Sequence, residues 1–373
     1  MYKAKIATLD EFRICREAWD NLALSMRFPT VFCTWEWIHT WWEHFGAKNT
    51  LAIVFIYDDT ELKGILPLFV YRTLFKGGWL TGRILSYCGT TDVYPDHLDI
   101  ICASHDTEEC MAAVESFLST QYRAWDVIQL PLITEDSALA SWTRTGGFPF
   151  KVGINEASVA PYIPLTEDFE RYIGRLDKKT RYNVRSRRKK LYDQHRFEYV
   201  ICGAGEEKEG LEAIFHLHEL RAKKKGITST FEGGKIRAFH DSLIDRVRDK
   251  GWISLSLLRN ETDTIAASYN FMFGNRVFSY QKGNHPAWGQ FGPGSVILHE
   301  CIQDAFSRGF EEYNLLQGNE AYKYDWTLQA RPLLTANIFN STVNGRLSLG
   351  GFYLKQRIKG MVKPARKPVV APN

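Results

Sequence analysis

The feature that most constrains this chain is an order of segments that occurs twice. In the first half, Leu51–Tyr57 and Gly64–Tyr71 flank the polar turn Asp58-Asp59-Thr60-Glu61 as a hairpin. Strand-like runs follow at Ile84–Cys88 and Leu98–Cys102, then a helical run at Thr107–Gln121 and the strand Trp125–Leu130. In the second half, Trp252–Leu258 and Thr264–Phe273 form a hairpin around Asn260-Glu261-Thr262-Asp263. It is followed by the strand Arg276–Lys282, the helix Ser295–Arg308 and the strand Phe310–Leu316. Hairpin, strand, helix, strand thus recurs roughly 200 residues on, the pattern of an architectural duplication. The fold class expected is α+β (mixed α/β), with tandem domains of twisted, mostly antiparallel sheets flanked by helices. The expected divisions are 1–164, 165–345 and a loose tail, 346–373.

Other segments fill in this frame. Residues 10–24 read as a short helix capped by Asp10, with Phe12, Cys15, Trp19 and Leu22 on one face. Thr34 and Gly46 bracket a second helix in which Trp35, Ile38, Trp42 and Phe45 recur at helical spacing, with Trp37 and Trp41 alongside. Its open alternatives are a packed aromatic core and a ligand-stacking surface. Pro67 predicts a bulge or an edge in its strand. A Pro/Gly-punctuated stretch, Gly146–Pro164, separates the halves and leads into a helical zone from Asp168 to about Lys250.

Composition excludes several classes. Hydrophobic residues are 45% and charged residues 24% of the 373, which is globular usage and not that of a disordered chain. No apolar run reaches the ~18 residues that cross a bilayer, and the first residues carry no signal-peptide pattern. The 7 cysteines are scattered and form no CxxC, against a disulfide framework or structural zinc site. The expectation is a cytoplasmic protein, monomer or homodimer, with no metal.

The net charge of +4 conceals one basic block, Arg175 to Arg196, relieved only by Asp177 and Asp193. Written as a helix it has a thin apolar stripe of Leu176, Thr180, Val184 and Leu191. Arg181, Arg185 and Arg188 then fall at i, i+4 and i+7, where guanidinium forks could hold the phosphates of a coenzyme or a nucleotide-linked acceptor. The alternative is a solvated charged face. A stable nucleic-acid partner is not expected, because only Tyr182 and Tyr192 could stack on bases.

Tyr280–Ser295 reads as strand, glycine-rich loop and helix start. Gly289-x-x-Gly292-x-Gly294-Ser295 is not a Rossmann fingerprint, since the glycine spacing is reversed. Backbone can approach a ligand closely at such glycines, and free N–H groups at a helix start attract phosphate; a plain capping turn is the other reading. The loop Gly89–Asp99 packs Asp92, Asp96, His97 and Asp99 together, and like charges there could raise one carboxylate toward general-base use. Turn chemistry explains the same residues. His216-x-His218 puts its rings on different helix faces and suggests no metal site.

Four segments carry a family resemblance: Phe32–Gly46, Leu176–Leu191, Leu217–Gly226 and Gly292–Trp326. The last includes Gly292-Pro293-Gly294 and Gly318-Asn319-Glu320-Ala321-Tyr322-Lys323-Tyr324-Asp325-Trp326. Together they resemble the FemAB-like branch of the GNAT superfamily, within its CelD-type acetyltransferase group. The loop is similar to the pyrophosphate loop Q/R-x-x-G-x-G/A of that superfamily, with Gly289 where Gln or Arg should stand. The resemblance implies two GNAT-like folds in tandem and direct N-acyl transfer from an acyl-CoA, acetyl-CoA first among them. It assigns coenzyme binding to Gly289, Gly292, Gly294 and Ser295. Tyr322 or Tyr324 could protonate the departing thiolate, a task tyrosine has in that superfamily, and Lys323 could neutralise charge on the thioester oxygen or bind an acceptor phosphate, a surface polar loop being the other reading; Asp92, Asp96, His97, Asp99 and Glu320 are the candidates for the base. The acceptor would be an amine of a sugar, nucleotide-sugar or amino-acid derivative, in polysaccharide or envelope biosynthesis. Two alternatives stay open: a Fem-type ligase using aminoacyl-tRNA on a peptidoglycan precursor, and a non-catalytic protein docking on polyanions.

Overall fold

The computed structural model describes residues 2–74, 81–90, 92–145, 149–229 and 231–362. The chain opens with β1 (Lys3–Ile6), α1 (Leu9–Ile14), α2 (Arg16–Ser25) and α3 (Trp35–Phe45). Then come β2 (Thr50–Leu51), β3 (Val54–Asp58), β4 (Glu61–Leu66), β5 (Leu68–Leu74) and β6 (Thr81–Tyr87). The first half closes with β7 (Ile101–Cys102), α4 (Thr107–Thr120), β8 (Val127–Thr134), α5 (Ala138–Thr145) and β9 (Lys151–Pro164). The second half begins α6 (Phe169–Arg175), α7 (Lys178–Lys189), β10 (Glu198–Ile201), α8 (Glu207–Lys225) and α9 (Gly234–Val247). It continues β11 (Ile253–Arg259), β12 (Thr264–Phe273), β13 (Arg276–Asn284), α10 (Pro293–Ser307) and β14 (Glu312–Asn314). Last are α11 (Ala321–Tyr324), β15 (Ala330–Phe339) and α12 (Val343–Val362). The fold is mixed α/β, with twisted, mostly antiparallel sheets flanked by helices, as expected.

Two sheets result, one of 4 strands in the order β1-β3-β4-β7 and one of 11 in the order β10-β11-β12-β13-β14-β9-β15-β8-β6-β5-β2. The pairings are antiparallel except β13 with β14 and β6 with β8. Pro67 sits between the sheets. Lacking an N–H, it ends β4 in the small sheet, and the chain crosses to β5 in the large one. The large sheet runs through both halves because β15, from the end of the second half, inserts between β8 and β9.

Three local expectations are corrected. The stretch to Pro164 is not a separator: Lys151–Pro164 forms a 14-residue strand near the sheet centre. Its prolines are accommodated because it pairs with β15 up to Pro161 and with β14 beyond it. The first helix is capped by Thr8, whose side chain and Glu11 form a reciprocal capping box, and the run breaks at Cys15. The tail is helical through Val362, with Phe352 packed on Phe339 at 5.6 Å; residues 363–373 lie outside the described residues.

Helix α3 is core. Thr34 accepts from Trp37 N–H, Gly46 ends the helix, and Trp37 and Trp41 are fully buried. Trp37 meets Phe239, Phe271 and Tyr280 of the second half edge-on at 5.2, 5.7 and 5.8 Å. Alternation along β12 and β13 makes two apolar faces: Tyr269, Phe271 and Phe278 join this aromatic cluster, while Ala266, Met272 and Val277 pack under α10. No described helix is long and apolar enough to cross a membrane.

Candidate active site

The site begins where two parallel strands part. β13 pairs with β14 only over Arg276–Phe278 and then continues to Asn284 paired on its β12 side alone. A bulge in the β12 ladder leaves Tyr280 unpaired at this point. After β14 the backbone turns away through positive φ at Leu316 (56°) and Gly318 (135°). Leucine pays a steric penalty in that region, and three contacts hold it there. Asn314 Oδ1 accepts from Leu316 N–H at 2.9 Å, and Lys323 Nζ donates to the carbonyls of Leu316 (2.9 Å) and Gln317 (2.8 Å). Lys323 is buried and also meets Glu320 at 3.1 Å, so its ammonium hydrogens are all engaged. Burial pulls its pKa down, and Glu320 opposes that pull. Between the parted strands lies a cavity of about 220 Å³ lined by Tyr94, Tyr280, Gln281, Leu316 and Gln317.

A loop from the first half closes one side of this opening. Asp96 Oδ2 accepts from Gln317 N–H at 2.6 Å and Oδ1 lies 2.5 Å from His97 Nδ1. His97 Nε2 accepts from Asn314 at 3.2 Å, which also donates to Glu312, itself gripped through both carboxylate oxygens by Arg331. Nδ1 donating to Asp96 and Nε2 accepting from Asn314 is the pattern of the Nδ1–H tautomer. Tyr280 OH bonds Val93 O at 2.6 Å, a further tie between the halves. Asp96 and Lys323 therefore meet through one residue, Gln317. Asp99 faces elsewhere: its carboxylate accepts from Ile100, Ala138 and Leu139 N–H at the start of α5. Burial pushes it up to about 6, against the pull of those amides.

The glycine loop leads into α10. Gly292, at φ 56°, ends a short helical turn, Pro286–Phe291, and starts α10. A Cβ at Gly292 would stand 2.8 Å from Arg187 Cδ, so the Arg187 side chain lies across the glycine, with Nη1 3.4 Å from Ser295 Oγ. Pro293 has no N–H, and those of Ser295 and Val296 turn back to Gly292 O. Gly294 N–H is left without a protein acceptor among the described residues. Space opens over Gly294, whose nearest neighbour to a built Cβ is Asn284 Oδ1 at 3.6 Å; no protein atom approaches Gly289 that closely.

Arg181, Arg185 and Arg188 do share one face, and it lines a cavity of about 500 Å³ between α6, α7 and α10, with Lys189, Tyr192, His299 and Trp326. Arg188 is committed to the buried Glu300 (2.5 Å), whereas Arg181, Arg185 and Lys189 carry no ion pair among the described residues. Sequence reasoning missed Arg187, the cation nearest the α10 start. It also missed Lys282 on β13, whose Nζ lies 5.1 Å from the centre of the Tyr322 ring.

Residues 178–324 match the family model described as an acetyltransferase (GNAT) domain. They belong to the GNAT superfamily. That stretch holds α7, the parted strands, α10, Tyr322 and Lys323, and it makes the chain an acyltransferase. Asp96, His97 and Tyr94 lie outside the GNAT match and reach the site from the other half. No curated protein matches the chain in sequence. Among solved structures, FemX has a similar fold (TM-score 0.63, 10% identity), covering 90% of this chain and 96% of its own. The C-terminal domain of a putative lysylphosphatidylglycerol synthetase from Agrobacterium fabrum is also similar (TM-score 0.55, 10% identity; 92% and 97% covered). So is L-PGS from Bacillus licheniformis (TM-score 0.51, 10% identity; 87% and 96% covered). The likeness in fold thus extends beyond the matched GNAT segment to about nine-tenths of the chain.

Proposed function

We propose that this GNAT protein moves an acyl group directly from an acyl-CoA, acetyl-CoA first among them, to the amine of a small acceptor. The observation that carries the reading is the meeting, at one opening, of parted β13 and β14 with the start of α10. The Gly294 N–H, without a protein acceptor among the described residues, and the Arg187 guanidinium give that start a positive end fitted to pyrophosphate oxygens. Open space over Gly289 and Gly294 leaves room for backbone-close contact, with Gly292 and Ser295 shaping the turn. The thioester supplies the electrophilic carbonyl. Lys323 holds the Leu316–Gln317 carbonyls in place, Asp96 holds the Gln317 amide, and the Tyr322 hydroxyl donates the proton that the leaving thiolate takes up. Asp99 orders the loop that carries Asp96. Arg181 and Arg185 offer free guanidinium forks for a phosphate on the acceptor, with Arg188 braced by Glu300. A nucleotide-sugar, sugar or amino-acid amine fits that chemistry, with envelope or polysaccharide biosynthesis in the cytoplasm as its setting.

The test is a mass-spectrometric screen of amines with acetyl-CoA as donor. Acetylated product from a phosphate-bearing amine, reduced at least tenfold in Arg185→Glu, supports the reading. A second reading, an aminoacyl-tRNA donor, is favoured by the likeness to FemX across nine-tenths of the chain and by the unpaired cations of α7. Co-purified RNA without any acetyl product would transfer the assignment to it.

A further inference from the structure

Lys282, the residue that follows Gln281 of the opening along β13, has no part in the mechanism above. It sits on the stretch of β13 that has lost its β14 partner, on the α10 side of the sheet, opposite Ser268 in the β12 ladder. Its half-buried side chain has the Tyr322 ring as its contact, and among the described residues it has neither a hydrogen-bond acceptor nor an ion pair. The groups that face it are the Lys323 ammonium, the buried Cys301 thiol and Glu320, which is itself paired with Lys323. An ammonium drawn partly out of water without a counter-ion is unfavourable, and a second ammonium beside it makes it more so. Lys323 escapes the same cost by donating to two carbonyls and a carboxylate; Lys282 has none of these.

We propose that the Lys282 amine is the base of this acyl transfer, taking the proton from the attacking acceptor nitrogen. The step balances without a further reactant. The acceptor ammonium gives one proton to the neutral Nζ, and its free nitrogen forms the bond to the acyl carbon. The carbon–sulfur bond breaks, and the nitrogen, on becoming an amide, gives its second proton to bulk water. The thiolate takes a proton from Tyr322, and Tyr322 is reprotonated through the neighbouring Lys282 ammonium. The inference rests on the acyl-CoA reading above. Consistent with the placement, burial first and Lys323 second pull the Lys282 pKa down to about 8, with Cys301 and Glu320 pulling the other way. A fraction of the amine, about a tenth at pH 7 and half at pH 8, is therefore neutral where a base must work.

Competitive trace labelling of every lysine with acetic anhydride over a pH series, read by mass spectrometry with and without free CoA, tests the placement. Expected is half-maximal labelling of Lys282 near pH 8, against ~10.4 for surface lysines, and at least tenfold protection of Lys282 by saturating CoA. Labelling that tracks the surface lysines, or that is unchanged by CoA while CoA raises the melting temperature, overturns the proposal and leaves the donor reading standing. No change in melting temperature with CoA removes both. With the acceptor found in the amine screen, Lys282→Met should lose about 100-fold in rate, the scale of general-base catalysis. Lys282→Arg should not restore it, because it keeps the charge without a titratable amine. An Arg variant with the wild-type rate and pH profile would show a structural cation and refute the base.

Discussion

At the scale of single residues, burial decides behaviour that residue type alone does not. His240 is fully buried among Phe231, Phe239, Tyr269 and Tyr280, and burial pulls its pKa down to about 3. The unfolded chain therefore binds a proton at this position that the folded chain refuses. The stability contributed by a neutral His240 is present above the unfolded value of ~6.5 and is lost as pH falls toward 3. In His240→Phe the loss between those values should be shallower by about 1.4 kcal/mol per pH unit, measured by urea unfolding at several pH values. An unchanged slope would show that His240 titrates normally. Lys323→Met leaves the Leu316 and Gln317 carbonyls without their donor and Leu316 at a positive φ. It should cost roughly 2–3 kcal/mol in the same assay. A variant as stable as wild type would show that the turn does not depend on it.

At the scale of elements, the sequence was legible where its periodicity was strong and its chemistry local. The Thr34 cap, the Gly46 stop and the hairpin around Asn260–Asp263 stood as expected, the first hairpin holds only over Val54–Leu66 because its second arm changes sheet at Pro67, and the i, i+4, i+7 arginines line one cavity because a helix must place them on one face. What was not legible had non-local causes. β9 reads as a broken, Pro-punctuated stretch because it pairs with one neighbour before Pro161 and another after it. The last helix is disguised by Gly345, Gly350 and Gly351. Lys282 looks like any strand lysine until the absence of a partner is visible in three dimensions, and Asp99 resembles Asp96 until its carboxylate is seen to hold α5. The glycine loop separates by the same logic. Gly292→Ala meets both a positive φ and the Arg187 side chain and should cost about 1–2 kcal/mol. Gly289→Ala, with open space around it, should stay within ~0.5 kcal/mol of wild type. Equal effects at the two positions would contradict this reading of the loop.

At the scale of the molecule, the two halves are tandem in design but not independent in structure. β15 completes the first-half sheet from the far end of the chain, and α3 buries Trp37 against the second half. Buried Glu36 of α3 is paired with Arg16 on one side and Lys250 on the other, at 2.6 Å each. A scanning-calorimetry trace should therefore show one cooperative transition with equal calorimetric and van't Hoff enthalpies; two resolved transitions would show halves that fold alone. The site has the same composite character, since its parted strands belong to one half and Asp96 and His97 to the other.

That composite opening is claimed as the acyl-donor site, and donor binding tests it most directly. The measurement is the thermal shift with free CoA, acetyl-CoA and longer acyl-CoAs, on the wild type and on Gly294→Trp. The open space at Gly294 lets the variant fold while the indole covers the start of α10. The wild type should gain about 2.7 kcal/mol at ~100 times the dissociation constant, and the variant, with an unchanged transition in the absence of ligand, should gain nothing. An equal gain in the variant would put the donor elsewhere, and no gain in the wild type would contradict the acyl-CoA reading itself.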